Sequence, residues 1–309
     1  MEKLWRFTDI LSLKGKTILV TGGNSGLGYE SVKMLASKHA TVILASRSLE
    51  RGVKAKANIL NDIPNASIEV MRLDLGSLQS IKQFAEAFKL KYKQLNILLN
   101  NAGIMNAPYG KTSDGFEQQI GINHLGHYAL TGHLFEVLKQ TPQSRIVNIS
   151  SLMHKKGIID FDSFLYENGK SYNPQEAYAQ SKLANLLFTY SLKKKVKEAQ
   201  LNIKVLAAHP GGAKTSLGRY SKDTTSRKLI KKIIYPLLMQ SATDGAMPGL
   251  RAALDSDAKS GMYLGPSGLF ESSGQPYISK AAQSAYDDET AEKLWTISEE
   301  LTGITYIFE

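Results

Sequence analysis

The chain has 309 residues and no cysteine, and its 38 lysines and arginines exceed its 28 aspartates and glutamates, for a formal net charge of +10. This length fits one large α/β domain or two smaller ones, and the absence of cysteine excludes disulfides and thiolate metal sites and fits a reducing compartment. The basic balance points to acidic partners, among them phosphate-bearing cofactors, membrane surfaces and nucleic acid, without choosing among them.

The opening stretch, MEKLWRFTDILSLKGK, carries charges inside every apolar run and offers no small-residue cleavage site, so it makes a poor signal peptide. No apolar run approaches the ~18 residues of a membrane span. The expectation is a cytoplasmic protein without an integral membrane span. Beyond this stretch, short apolar runs bounded by Gly, Asn and Asp alternate with longer amphipathic ones, the pattern of βαβ units. Strands are expected at 16–22, 41–47, 68–75, 95–103, 145–151, 203–211 and 261–265, and helices near 26–38, 77–92, 124–139, 176–198, 241–254 and 288–302. Most of the strands are apolar on both sides, which suits a parallel sheet covered by helices on both faces. With no internal repeat, low-complexity tract or linker, residues 1–309 read as a single doubly wound α/β domain around a mostly parallel, seven-stranded sheet.

The first strand closes, and the first helix opens, on TGGNSGLG, Thr21 to Gly28. Gly22, Gly26 and Gly28 allow a tight turn, close approach of backbone to a pyrophosphate, and tight packing of helix on strand. The N–H groups at the helix N-terminus then face the anion. In this context the loop reads as a dinucleotide site. The second strand ends in ASRS, where enzymes that select NAD commonly carry an acidic residue for the ribose 2′-hydroxyl. Ser46 and Arg47 stand there instead, and a guanidinium suits a 2′-phosphate. NADP(H) is expected, with NAD(H) as the alternative.

Two segments break the alternation. Residues 152–175 lengthen the connection between the fifth strand and the next helix. Residues 212–240 contain RKLIKKIIYPLLMQ, in which Arg227, Lys228, Lys231 and Lys232 interleave with Leu229, Ile230, Ile233 and Ile234. Such a stripe suits a membrane surface or a lid over an apolar pocket. The lid is the preferred reading, because basic amphipathic segments ordinarily pack on protein with a solvated face. His124, His127 and His133 have no carboxylates at ligand spacing, so no metal is expected. Lys193, Lys194, Lys195 and Lys197 close a helix whose dipole they complement. No aromatic residues interleave with them, and nucleic acid is not an expected partner. The helix that they close begins with YAQSK, which sets Tyr178 and Lys182 one turn apart on one face.

Taken together, these motifs resemble those of the short-chain dehydrogenase/reductase family. TGGNSGLG resembles its TGxxxGxG loop, NNAG at 100–103 its fourth-strand motif, YAQSK its YxxxK, and PGGAKT at 210–215 its PGxxxT segment. INHLGHY (122–128), RIVNISS, YAQSKLANLLF and HPGGAKT, with the long 152–175 connection, are similar to the retinol-dehydrogenase-like branch. Some members of that branch carry an N-terminal membrane anchor, which the opening stretch does not resemble. A bacterial-type soluble relative of undefined specificity is therefore expected, rather than an enzyme of retinoids.

The resemblance implies a Rossmann fold, a homodimer or homotetramer, and a catalytic tetrad of Asn123, Ser151, Tyr178 and Lys182. Ser151 matches the serine that closes the strand motif, whereas Ser150 alternates to the other face. The implied cofactor surface comprises Gly22, Asn24, Ser25, Gly26, Leu27 and Gly28 of the loop, Ser46 and Arg47, Asp74 and Leu75, and Asn101, Ala102 and Gly103. It is completed by Tyr178, Lys182, Pro210, Gly211 and Thr215. Asp74 matches a position near the adenine and Thr215 one that contacts the nicotinamide carboxamide.

Reducing an aldehyde or ketone requires a hydride at carbon and a proton at oxygen. Tyr178 is the expected proton donor, and its phenolate the base in the reverse direction. The ordinary phenol pKa of ~10 is too high for an efficient base near neutrality, and an ammonium one turn away is expected to lower it. Lys182 also has donors enough to hold a ribose. Ser151 is expected to steady charge developing on the oxygen, and Asn123 to anchor a water leading to Lys182. The expected function is NADP(H)-dependent interconversion of a carbonyl and an alcohol on a small to medium, largely apolar molecule. The apolar preference rests on Leu229, Ile233, Tyr235, Leu238, Met153 and Met239. The competing readings are a C=C reductase, a group that uses an active-site cysteine in its own family, and an NADP(H)-binding sensor without turnover.

Overall fold

The computed structural model describes residues 5–213 and 239–309. The apolar runs form β1 (Thr17–Thr21), β2 (Thr41–Ser46), β3 (Ile68–Arg72), β4 (Ile97–Asn100), β5 (Ser144–Ile149), β6 (Ile203–Ala208), β7 (Tyr263–Pro266) and β8 (Pro276–Ser279). They make one sheet in the order β3-β2-β1-β4-β5-β6-β7-β8. Every pairing is parallel except that of β7 with β8. The sheet thus has eight strands where the apolar runs predict seven. The extra one, PYIS, is four residues long and antiparallel at the sheet's edge, a place where a proline's missing N–H costs no ladder bond.

Alternation along each strand builds a core on either side. Leu19, Ile43, Leu98, Ile146 and Val205 face one way, onto α3 (Leu78–Lys91), α4 (Gly126–Gln140) and α5 (Pro174–Glu198), through Phe84, Phe88, Leu134, Phe135 and Phe188. Ile18, Val20, Val42, Leu44, Leu99 and Leu206 face the other, onto α1 (Gly26–Ser37), α2 (Leu49–Asp62) and α6 (Ala242–Leu254), through Val32, Leu35, Ile59 and Leu250. Period-two alternation with both faces buried is what makes the runs continuously apolar.

Apolar periodicity predicts no helix between β2 and β3, yet α2 forms there. Its buried face is made of Gly52, Ala55 and Ile59, too little large apolar surface to register as a stripe. Ser48 supplies the start signal instead, accepting the Arg51 N–H at 3.2 Å.

The last helix, α7 (Asp288–Thr302), is capped by Asp287 and ends at Gly303 with φ 65°, the left-handed terminus that its sequence predicts. It packs on α5 through Leu294 against Leu183, Leu186 and Leu187. Lys194 pairs with Asp288 at 3.0 Å, and Lys195 with Glu292 at 2.8 Å. Two of the lysines that resemble a nucleic-acid patch in sequence therefore join two helices. No described helix is long and apolar enough to cross a membrane.

The strand order reverses between β1 and β4, because β1 pairs with both β2 and β4. A crevice outside the carboxyl ends of the strands is where ligands bind in such sheets. It is here that the candidate residues gather.

Candidate active site

An open cleft runs along the carboxyl ends of the strands. From Ser46 at the end of β2 to Ser150 beyond β5 it crosses three strand spacings, roughly 14 Å, the scale of a dinucleotide.

At the loop after β1, Gly22 has φ 68° and Gly26 φ 54°, conformations that residues with side chains rarely take. Gly28 is needed for another reason. A Cβ there would stand 2.4 Å from the Gly22 carbonyl oxygen. Ser25 caps α1 without a side-chain hydrogen bond, which leaves the first N–H groups of the helix available to an anion. The loop is tied sideways on both flanks. Ser46 donates to Asn24 Oδ1 at 3.1 Å, the Asn101 and Ala102 N–H groups reach Thr21 Oγ1 at 2.9 Å, and Asn101 Nδ2 donates to Thr21 O at 2.8 Å.

At the β2 side the cleft is lined by Ser46, Arg47, Ser48 and Arg51, and beyond them by Leu73, Asp74 and Leu75. Asp74 is the only carboxylate among the described lining residues, and one of its oxygens already accepts the Gly76 N–H at 3.0 Å. Ser48 and Arg51 are not anticipated from sequence, since the helix that presents them is not. The Ser48 cap before Arg51 is the signal that would have found them.

At the other side, α5 carries Tyr178 and Lys182 inward from the Asn173 cap, whose side chain accepts the Gln175 N–H at 2.9 Å. The residues are buried, 4% and 2% exposed. Lys182 Nζ donates to Ile149 O at 3.0 Å and stands 5.7 Å from the centre of the Tyr178 ring. The Ser151 hydroxyl faces the Tyr178 phenol and accepts the Met153 N–H at 3.2 Å. Ser150 lines the cleft, but its hydroxyl turns to Lys182 O at 2.8 Å, in keeping with alternation of the paired serines.

Burial pushes the Tyr178 phenol up to about 12, against the opposing hydrogen bond from Ser151. Burial likewise pushes the Lys182 ammonium down to about 8. The sequence predicts a phenol acidified by its neighbour; in the chain itself the loss of water around both groups dominates and moves the phenol the other way.

Asn123 lies in a π-helical turn, Gly121–Leu125, between the short helical turn Gln118–Ile120 and α4. Such turns occur often at functional sites. The Asn123 amide donates to Ile104 O (3.0 Å) and Ser181 Oγ (2.9 Å) and accepts the Ile104 N–H (2.9 Å). Both amide protons are therefore used to hold the chain beside Gly103. A Cβ at Gly103 would come 3.1 Å from Asn123 Oδ1 and 3.5 Å from Lys182 Nζ, so this glycine lets the NNAG turn approach the lysine.

His127 joins the same turn to the loop, with Nδ1 on Asn123 O at 3.0 Å and Nε2 on Thr21 Oγ1 at 2.9 Å. A carbonyl accepts only, so Nδ1 carries the proton and the Thr21 hydroxyl donates to Nε2. His124 Nε2 meets Ser298 Oγ at 2.9 Å. Two of the three histidines that tempt a metal reading are thus core hydrogen-bonding groups.

The structure brings Gly22, Asn24, Ser25, Gly26, Leu27, Gly28, Ser46, Arg47, Asp74, Leu75, Asn101, Ala102, Gly103, Tyr178, Lys182 and Pro210 to the cleft wall. Asn123 and Ser151 are not among the residues of that wall. Gly211 also lies off the wall, with φ 61° and a position at which a Cβ would meet Ser272 O at 2.5 Å. Thr215 falls outside the described residues, as do Leu229, Ile233, Tyr235, Leu238 and the basic run 227–232. Met153 is half-buried. The two ends of the expected lid segment meet at the cleft, where Gln240 N–H donates to Gly212 O and Gln240 Nε2 to Pro210 O, both at 2.8 Å.

A family model described as short chain dehydrogenase matches residues 16–226. Human retinol dehydrogenase 12 is 39% identical over 96% of this chain and 89% of its own, and human retinol dehydrogenase 13 is 38% identical over 95% and 86%. A crystal structure of an uncharacterised protein from Mycobacterium paratuberculosis superposes with a TM-score of 0.80 at 35% identity, covering 98% of this chain and 99% of that one. A short chain dehydrogenase from Shigella flexneri complexed with NADP shares the fold, with a TM-score of 0.63 at 22% identity over 82% and 98%. The motifs, the cleft at the strand reversal and these likenesses agree: the chain belongs to the short-chain dehydrogenase family, as a retinol-dehydrogenase-like, NAD(P)-dependent oxidoreductase acting on CH–OH groups.

Proposed function

We propose that the protein interconverts an apolar aldehyde or ketone and its alcohol, with NADP(H) as the preferred cofactor and Tyr178 as the proton-transferring group. The observation that carries this is one cleft with the buried Tyr178–Ser151–Lys182 group on one side and two guanidinium residues, Arg47 and Arg51, on the other. The glycine cradle fits a pyrophosphate, because a side chain at Gly28 would collide with backbone. Two cations and no carboxylate around Ser46 favour a 2′-phosphate over a free 2′-hydroxyl. Gly22 to Gly28 would hold the pyrophosphate, Arg47 and Arg51 the 2′-phosphate, and Lys182 the nicotinamide ribose.

Bound there, the reduced nicotinamide supplies the hydride. Tyr178 gives its proton to the carbonyl oxygen, and its raised pKa keeps the phenol protonated through the neutral range. Ser151 holds the same oxygen by hydrogen bond as charge develops there. In the alcohol-oxidising direction the phenolate is required, so that direction gains as pH rises. The relatives named retinol dehydrogenases make retinaldehyde one member of the test panel, beside medium-chain aldehydes and ketones.

The test follows NADPH oxidation across that panel in wild type and in Arg47→Asp. Turnover of at least one apolar carbonyl is expected in wild type. Arg47→Asp should weaken NADPH by roughly tenfold or more, the worth of one charge-assisted contact, while sparing NADH. Equal loss of both cofactors would remove Arg47 from 2′ recognition, and NADPH binding without turnover of any carbonyl would contradict the catalytic reading.

A further inference from the structure

The connection that follows β5 contains a buried histidine that neither the motifs nor the cleft wall accounts for. His154 is 0% exposed. Its Nδ1 lies 2.6 Å from Ser151 O, and because a carbonyl only accepts, Nδ1 must carry the proton. Nε2 is then a bare acceptor, and the Ala282 N–H donates to it at 3.0 Å. Both ring nitrogens are satisfied by main chain, and both bonds demand one neutral tautomer. The ring plane is fixed by Tyr263 of β7, packed edge-on at 5.5 Å and 89°. The Tyr263 hydroxyl also stands 3.4 Å from Nδ1, on the same side as the Ser151 carbonyl. Tyr263 and Ala282 lie beyond the residues 16–226 matched by the family model.

We propose that His154 is a positioning residue for the reaction: its imidazole fixes the main chain of Ser151, and thereby the hydroxyl facing Tyr178, against the C-terminal segment at Ala282. The inference rests on the reading of Ser151 given under Proposed function. His154 does not line the cleft, so it acts through the carbonyl of Ser151, whose hydroxyl is proposed to serve the reaction.

The experiment compares His154→Phe, His154→Asn and His154→Gln with Ser151→Ala and the double variant Ser151→Ala/His154→Phe. NADPH affinity, kcat and KM are measured with the panel carbonyl that wild type reduces best. His154→Phe should lower kcat by roughly 10- to 100-fold, the cost of misplacing a reacting group by less than or about 1 Å, with NADPH affinity and KM nearly unchanged. His154→Asn keeps an N–H donor near Nδ1 and should recover most of the loss. His154→Gln, whose amide reaches toward Ala282 instead, should not. The double variant should be no slower than Ser151→Ala, because the two residues act as one unit. Wild-type kcat in His154→Phe, rescue by Gln but not Asn, or additive losses in the double variant would overturn the proposal. Should His154→Phe fail to fold, the Asn and Gln variants decide by themselves. Ser151→Ala at wild-type kcat would instead defeat the reading of Ser151, whereas loss in Ser151→Ala with none in His154→Phe defeats this inference alone. A readout without turnover is the ¹⁵N spectrum of labelled histidine: His154, assigned by its disappearance in His154→Asn, should show the neutral Nδ1–H form, and the Nε2–H form would contradict the arrangement.

Discussion

Among individual residues, Lys182 has the clearest physical signature. Its ammonium is buried, bonded to the Ile149 carbonyl and held down to about 8, so it is charged below about pH 8 and neutral above. A cation beside Tyr178 favours the phenolate that oxidation needs. Removing it with Lys182→Ala should lower kcat for alcohol oxidation by about 100-fold near neutrality and move the alkaline rise in rate to higher pH, with a smaller change in KM for apolar substrates. The measurement is the pH–rate profile of the variant, and an unchanged profile would remove the lysine from proton transfer. The motif residues proposed for this step were legible in sequence, since spacing alone puts Tyr178 and Lys182 on one face. Their protonation was not, because it depends on how completely water is excluded, which spacing does not encode. Ser48 and Arg51, presented by the unpredicted helix α2, and Ile104 and Ile122, which also line the cleft, escape sequence reading.

Elements place these residues, and the most exacting junction is between β1 and α1. The Gly28 position leaves no space for a methyl group, because its nearest neighbour would be the Gly22 carbonyl at 2.4 Å. Backbone cannot swing aside as a side chain tip does. Gly28→Ala should therefore destabilise the fold by roughly 1–3 kcal/mol and weaken NADPH binding, read by denaturant unfolding and by cofactor titration. Wild-type values in both would mean that the loop relaxes freely. Strand ends are where sequence reading ran long. β3 stops at Arg72 and β4 at Asn100, short of the predicted 75 and 103, because Leu73 and Leu75 stay buried after the ladder ends and hydrophobicity does not separate a buried loop from a strand. The helix α2 was missed for the opposite reason, a buried face of small residues. The π turn at Gly121–Leu125 is invisible to periodicity, since its one-residue offset arises from tertiary packing.

For the whole molecule, buried imidazoles make stability a function of pH. Burial holds His124 down to about 3, and His127 and His209 down to about 4, against an ordinary value near 6.5. Folded pKa values lie below unfolded ones, so the unfolded chain binds more protons in acid. Stability is fully present above about pH 6.5 and is lost as pH falls from there toward 4. The urea midpoint should drop between pH 7.5 and pH 5, and a midpoint that stays level would mean that these rings are not neutral and buried together. The cleft runs along the same sheet, so the cofactor recognition proposed at β2 and the proton transfer proposed at α5 share one frame. That unity makes Tyr178→Phe the most direct test, because it removes one oxygen and leaves the ring packing. NADPH should still bind with near wild-type affinity, while carbonyl reduction should fall by at least roughly 100-fold, the worth of a positioned proton donor. Carbonyl reduction at the wild-type rate in Tyr178→Phe would contradict the account.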